Sequence, residues 1–108
     1  MDIADWRRQI DEIDRKLVEL LNQRARMAQE IGRLKRNTQM PIYEPDREKT
    51  ILENVRRQNQ GPLPHEELGR IFERMIDVMR KLQKDEMLAE LEKKKAQGGT
   101  EFDVEVND

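Results

Sequence analysis

Several polar side chains lie on helical faces whose pattern otherwise calls for apolar residues, and their types suit the binding of an anion. Burying unpaired ions costs several kcal/mol each, and the chain's own acids supply no obvious counter-charge. Planar arginine forks match carboxylates and phosphates. The pattern therefore favours an anion-binding pocket between helices. The set comprises up to four cations, one carboxylate and one amide: Arg7, Arg24, Lys35, Arg47, Glu48 and Gln83.

A simpler interpretation of the same side chains is also open. Arginine and lysine at the edge of an apolar stripe commonly lay their stems on the core and keep their charged ends in water. Arg24 could also pair with an acid on a partner helix. The periodicity alone does not distinguish these two interpretations from an anion-binding pocket.

The first helix must position three of these cations. Its apolar stripe advances in alternating steps of four and three residues, which is a near-heptad face of an α-helix. Asp5 is a fair N-cap, although Asp2 would also serve, and Pro41 ends any helix there. The stripe consists of Trp6, Ile10, Ile13, Leu17, Leu20, Arg24, Met27, Ile31 and Leu34.

This helix is too long for a compact domain. About 32 residues at ~1.5 Å each give a rod of roughly 48 Å, whereas a compact chain of this length has a radius of gyration of only ~13 Å. The rod would leave its stripe exposed, so the sequence predicts a homodimer. Arg7 and Arg24 stand roughly 25 Å apart along the axis, so only a partner helix could bring one chain's Arg7 beside the other chain's Arg24.

Two further helices complete an all-α chain of three helices, one long, one short and one long. The second is predicted from about Pro45, a favourable first helical position, to about Asn59. The third is predicted from about His65 to about Lys94, with the Gly98-Gly99 pair beyond its end. The predicted domains are a helical domain over residues 1–96 and an acidic, flexible tail over residues 97–108. That tail alternates apolar and polar residues, so a short strand is the other interpretation.

The same faces carry the remaining polar residues of the set. Arg47 and Glu48 precede Ile51 and Leu52 by four residues, which places the two pairs on one face. Gln83 follows Met79 by four residues, so it also points inward.

Composition narrows the function class. Charged residues make up 41% of the 108 residues, but the net charge is only −2, which disfavours a nucleic-acid binder. There is no cysteine and a single histidine, His65, so neither a thiolate nor a His-rich metal site is expected. The first residues do not resemble a signal peptide, and no apolar run approaches the ~20 residues that span a bilayer. A soluble, cytoplasmic protein without membrane contacts is the expectation.

Three stretches resemble the all-helical class of chorismate mutases. They are "WRRQIDEIDRKLVELLNQRARMAQEIGRLK", "IYEPDRE", and "GPLP" before "IFERMIDVMRKLQ", within about residues 4 to 84. The likeness is greatest to the mutase domain that heads bifunctional chorismate mutase/prephenate dehydratases. It implies an intertwined homodimer with shared sites, and a pericyclic conversion of chorismate to prephenate without a cofactor, in phenylalanine and tyrosine biosynthesis.

The resemblance also implies roles for individual residues. Arg24, Arg47 and the partner's Arg7 resemble the carboxylate-binding arginines of the family. Lys35 resembles the cation that contacts both a carboxylate and the ether oxygen of the substrate. Gln83 resembles the second donor to that oxygen.

Three more positions follow from the same resemblance. Glu48, together with the backbone near Glu44, resembles the group that holds the substrate hydroxyl. Met79 departs from the pattern, because some members carry a small polar residue there that touches a carboxylate.

Two other functions stay open, and the spacing of the residues does not separate the first of them from a mutase, although the "YEPDRE" and "GPLP" context favours the mutase. An isochorismate pyruvate lyase would use the same scaffold and cations on a similar pericyclic path. A helical dimerisation or regulatory module without catalysis would have no need for inward charges, and would show them paired and solvated with no cavity between them.

Overall fold

The computed structural model of the protein describes residues 1–107, with side chains through residue 97, and contains three helices. They are α1 (Ile3–Thr38), α2 (Pro45–Gln58) and α3 (His65–Asn107). Over these residues no strand occurs, which confirms the all-α prediction. The backbone of the predicted acidic tail, residues 97–108, belongs to α3 through residue 107, so the short-strand interpretation is wrong. Side chains beyond residue 97 lie outside the described part, and the flexibility of the tail stays a prediction.

The start of α1 uses the second of the two caps that the sequence offers. Asp2 is the N-cap, and its side chain accepts a hydrogen bond from the Asp5 backbone at 2.9 Å. The Asp5 carboxylate accepts one in return from the Asp2 backbone at 2.9 Å. This reciprocal arrangement is a capping box, which satisfies two otherwise unpaired backbone donors. The helix ends at Thr38, and the C-cap residue Gln39 has a left-handed φ of 59°.

The boundaries of α2 and the start of α3 agree with the sequence prediction. Pro45 occupies the first position of α2, where its missing N–H is not needed. In the link between the helices, the Asn59 amide donates to the Leu63 carbonyl at 2.8 Å. The prediction that α3 ends before the two glycines is wrong, since the helix continues to Asn107.

The molecule is elongated because the long helices extend past one another. Its dimensions are 70 × 32 × 19 Å and its radius of gyration is 19.7 Å, well above the ~13 Å of a compact chain of this size. α3 packs on both α1 and α2. In the described part of the chain, no helix has an apolar stretch long enough to cross a membrane.

The face of α1 that packs on α3 is not the apolar stripe but the small-residue flank beside it. Ala28, Gly32 and Lys35 are the buried residues of α1, and Ile76 and Met79 are buried opposite them on α3. A Cβ atom on Gly32 would lie only 3.1 Å from the Cα atom of Gln83. The two helices therefore approach closely at this point.

The large apolar residues of the stripe remain on the surface of the single chain. Trp6 is 55% exposed, Leu17 49% and Leu20 59%. Monomeric proteins rarely expose a contiguous apolar surface of this kind. The exposure of the stripe within one chain agrees with the sequence analysis, and the homodimer stays a prediction.

Candidate active site

A cavity of about 400 Å³ lies where the second half of α1, the start of α2 and the middle of α3 meet. This volume suits a small organic ligand. The apolar part of its lining includes Ile31, Ile51, Ile76 and Met79. The polar lining consists of four cations, two carboxylates and an amide: Arg24, Lys35, Arg47, Arg80, Glu44, Glu48 and Gln83.

Lys35 is the most deeply placed of these cations, with only 5% of its surface exposed. Its Nζ atom lies 2.9 Å from Gln83 Oε1, 3.1 Å from the Ile42 carbonyl oxygen and 2.7 Å from Glu44 Oε1. An ammonium group has three donors, so these three acceptors saturate it. Any group that enters the cavity and binds Lys35 must replace one of them.

The contact with Lys35 also fixes the orientation of the Gln83 amide. A lysine ammonium can only donate, so the amide oxygen of Gln83 must face it. The Nε2 atom of Gln83 is then left as a donor. The close approach of α1 and α3 at Gly32 is the local reason that these two side chains can meet, since Gly32 precedes Lys35 by less than one turn.

Arg24 and Arg47 form a pair of cations that no described acid neutralises. Among the described residues, no hydrogen bond or ion pair is formed by either side chain. Burial lowers the pKa of Arg24, and the positive charge of Arg47 lowers it further. Two unpaired like charges on one cavity are a destabilising arrangement unless an anion joins them.

Glu48 meets a cation that the sequence analysis did not identify. Arg80 on α3 donates from Nε to Glu48 Oε2 at 3.0 Å and from Nη2 to Glu48 Oε1 at 2.7 Å. This hydrogen-bonded pair is the main cause that raises the pKa of Arg80. The guanidinium carbon of Arg80 also lies 5.0 Å from the centre of the Tyr43 ring. Its position in the sequence, four residues after Ile76 and three before Gln83, would have placed it on the inward face.

The charge balance of the cavity corrects one expectation. The chain's own acids do supply counter-charges, because Glu44 pairs with Lys35 and Glu48 with Arg80. Four cations against two carboxylates still leave an excess of two positive charges in the lining. That excess sits on the unpaired arginines, so an anion with two negative charges would complement the cavity.

The structure gathers all but one of the site residues proposed from sequence. Arg7 is exposed near the start of α1 and does not line the cavity. Met79 is buried, with 6% of its surface exposed, and adds an apolar wall beside Gln83. Within one chain the cavity therefore has two free arginines rather than three.

Comparison with known proteins identifies a family and several similar proteins. Residues 6–84 match the family described as chorismate mutase type II. The chain is 36% identical over 87 residues to the bifunctional chorismate mutase/prephenate dehydratase of Aquifex aeolicus, a match that covers 77% of this chain and 24% of that protein. It is 34% identical over 83 residues to the chorismate mutase of Methanocaldococcus jannaschii, covering 76% and 84%.

A solved structure shows the same fold. The chorismate mutase of Thermus thermophilus, in its form II, superposes with a TM-score of 0.75 at 33% identity, over 76% of this chain and 93% of that one. Form I of the same protein gives a TM-score of 0.70 at 34% identity, over 71% and 96%. The matched part of the chain spans about a quarter of the length of the bifunctional Aquifex relative.

Proposed function

Because the chain belongs to the chorismate mutase type II family, we propose that it converts chorismate to prephenate, a step toward phenylalanine and tyrosine. The observation that carries the proposal is the cavity in which two unpaired arginines stand beside a buried Lys35–Gln83 donor pair. Chorismate is a dianion with two carboxylates, which matches the excess of two positive charges. The cavity walls are otherwise apolar, as the ring of this substrate requires.

The arginines would hold the substrate in its reactive shape. In the rearrangement the enolpyruvyl side chain must lie over the ring, so that one C–O bond breaks while one C–C bond forms. Arg24 and Arg47 can each bind a carboxylate through a planar fork, which fixes the ends of the reacting system. Restraint of this kind can supply a large share of a rate enhancement. No proton is transferred, and no nucleophile is needed.

Lys35 and Gln83 would stabilise the charge that develops during the reaction. As the C–O bond breaks, negative charge grows on the ether oxygen. The Gln83 amide oxygen is held by Lys35 at 2.9 Å, so its Nε2 donor and the ammonium group can converge on one point. Donors aimed at a charge that exists only in the transition state lower the barrier rather than merely tighten binding.

Glu44 and Glu48 would have different tasks. The carboxylate of Glu44 lies 2.7 Å from Lys35 Nζ, so the substrate would displace it from the ammonium group. The backbone near Glu44 would then donate a hydrogen bond to the substrate hydroxyl group. Glu48, fixed by Arg80, would accept from that hydroxyl. Met79 would contribute an apolar contact in place of a hydrogen bond.

We further propose that two chains pair through the exposed stripe of α1 and share their sites. The support is the run of large apolar side chains from Trp6 to Leu21, which no part of the described chain covers. Burying such surfaces is the main driving force for association. In an interlocked pair, the partner's Arg7 would supply the third carboxylate-binding arginine that the cavity lacks.

A spectrophotometric assay of chorismate loss, with identification of the product, tests the proposal. We expect prephenate to form, and isochorismate to be left unchanged. Pyruvate release from isochorismate, with no turnover of chorismate, would favour the lyase alternative instead. No turnover of either substrate by a folded dimer would favour the non-catalytic module.

A further inference from the structure

Arg80 makes the most extensive side-chain contact of any cation in the cavity, and it makes that contact with an acid of the site. Its Nη2 atom lies 2.7 Å from Oε1 and 2.8 Å from Oε2 of Glu48, while its Nε atom lies 3.0 Å from Oε2. Side-chain exposures of 33% for Arg80 and 22% for Glu48 show that the pair is half-buried. Charge-assisted forks of this type fix geometry as well as charge.

The fork leaves acceptor capacity on the carboxylate. A carboxylate offers about four lone-pair positions, and Oε1 of Glu48 receives only one hydrogen bond from Arg80 within the described chain. Because Glu48 lines the cavity, that oxygen can still accept a hydrogen bond from a ligand. A carboxylate without Arg80 would have the same capacity but no fixed direction.

The surroundings show what a free Glu48 would do. Arg24 and Arg47 line the same cavity and have no partner among the described residues. An unrestrained carboxylate in that cavity would be drawn to them, since opposite charges attract more strongly where water is partly excluded. Such an internal ion pair would occupy the groups that a substrate carboxylate must reach.

We infer that Arg80 is a positioning residue, which directs the Glu48 carboxylate toward the substrate hydroxyl and keeps it from neutralising Arg24 and Arg47. The inference rests on the proposed function. Tyr43 supports the arrangement from the loop before α2, because its ring lies 5.0 Å from the guanidinium carbon of Arg80. Cation–ring contacts of this kind help to hold an arginine in place.

The test compares Arg80→Met, Arg80→Lys and Glu48→Gln with the double variant Arg80→Met/Glu48→Gln in chorismate turnover. We expect Arg80→Met to lower kcat/KM by about 10- to 100-fold, as misplaced groups do, with a rise in KM because Glu48 then competes for the arginines. Arg80→Lys should recover part of the loss, since it keeps the charge but not the fork. The double variant should be no worse than Glu48→Gln alone, because Arg80 acts through Glu48.

Arg70→Met is the matched control on the same helix, since Arg70 pairs with Glu67 on the exposed surface. Its kcat/KM should equal that of the wild type, and urea unfolding verifies that all variants are folded in the assay. An active wild type with unchanged KM and kcat in Arg80→Met, or losses that add in full in the double variant, would overturn this inference alone. A wild type that does not convert chorismate would overturn the proposed function and the inference with it.

Discussion

The two halves of α1 belong to one uninterrupted helix but have opposite surroundings. From Trp6 to Gln23 every residue is exposed, although the stretch includes a tryptophan, isoleucines and leucines. From Arg24 to Lys35 the helix packs on α3 and lines the cavity, and its buried residues are Ala28, Gly32 and Lys35. The half that carries most of the large apolar side chains is therefore the half that is exposed in the single chain.

The difference shows that the cavity forms where α1 closely approaches another helix. Small residues let two helix backbones approach, and a Cβ atom on Gly32 would be 3.2 Å from the Gln83 carbonyl oxygen. This approach brings the Lys35 ammonium to Gln83 on α3. Every residue from Trp6 to Gln23 is exposed in the single chain, and large apolar side chains of this kind suit an interface with a second chain.

The largest expected effect comes from the second half of α1. Replacing Lys35 by alanine should lower kcat by about 100- to 1,000-fold, as the loss of one donor to a developing oxyanion does. Lys81→Ala, at an exposed position of α3, is the control and should leave kcat unchanged. Steady-state kinetics measure the loss of kcat, and urea unfolding shows whether a loss of stability contributes to it. If the folded Lys35→Ala variant turned over chorismate at nearly the wild-type rate, Lys35 would have no catalytic role.

A mixing experiment tests whether the first half completes a site in the second half of another chain. Arg7→Ala and Arg24→Ala should each be nearly inactive alone. Unfolded together and refolded as a 1:1 mixture, they should regain about a quarter of the wild-type rate, because half the dimers are mixed and each has one intact site.

The control for that mixture is Arg24→Ala with Lys35→Ala, two lesions within the same chain's share of the site. Mixed dimers of this pair contain no intact site, so no recovery is expected. The mixture of Arg7→Ala and Arg24→Ala could also fail to regain activity although each variant forms dimers in sedimentation. The first half of α1 would then contribute to the dimer interface but supply no residue that binds substrate.

Arg24 marks the boundary between the halves, and its unpaired charge can be tested by thermal unfolding. A dianionic mimic of the transition state, present at 100 times its Kd, should stabilise the wild type by about 2.7 kcal/mol. Without ligand, the unfolding midpoint of Arg24→Leu should be similar to or higher than that of the wild type. The variant lacks a charge that burial and the nearby Arg47 disfavour. With the mimic it should show little further rise. An equal rise in both proteins would contradict the assigned role.

The smallest effect concerns the glycine that sets the distance between α1 and α3. Gly32→Ala should lower kcat/KM by roughly 3- to 10-fold, because the added methyl group separates Lys35 from Gln83 by a fraction of an ångström. Gly69→Ala is the matched control, since nothing lies within 4 Å of its added Cβ atom. It should raise the free energy of unfolding by roughly 0.5–1 kcal/mol and leave kcat/KM unchanged. If both variants gained the same free energy of unfolding and kept the wild-type kcat/KM, the close approach at Gly32 would not be critical.

Most helix boundaries and the faces on which the charged residues lie follow from local sequence, although the end of α3 does not. The start of α2 follows from Pro45, the end of α1 from Pro41, and the inward place of Arg24 from its interval to Leu17 and Leu20. These are local properties, because helix periodicity and backbone restrictions act over a few residues. The sequence left two capping aspartates open, because Asp2 and Asp5 cap each other and either alone fits the pattern.

Which of these charges meet depends on how the helices pack against one another. Nothing in the spacing distinguishes Glu44 as the acid at Lys35, or Arg80 as the cation that holds Glu48. Those pairs depend on how far each helix is shifted and rotated against its neighbour, and that offset is set by packing at Gly32 and along α3. Contacts between residues far apart in sequence arise from this packing, so no periodicity within one helix can specify them.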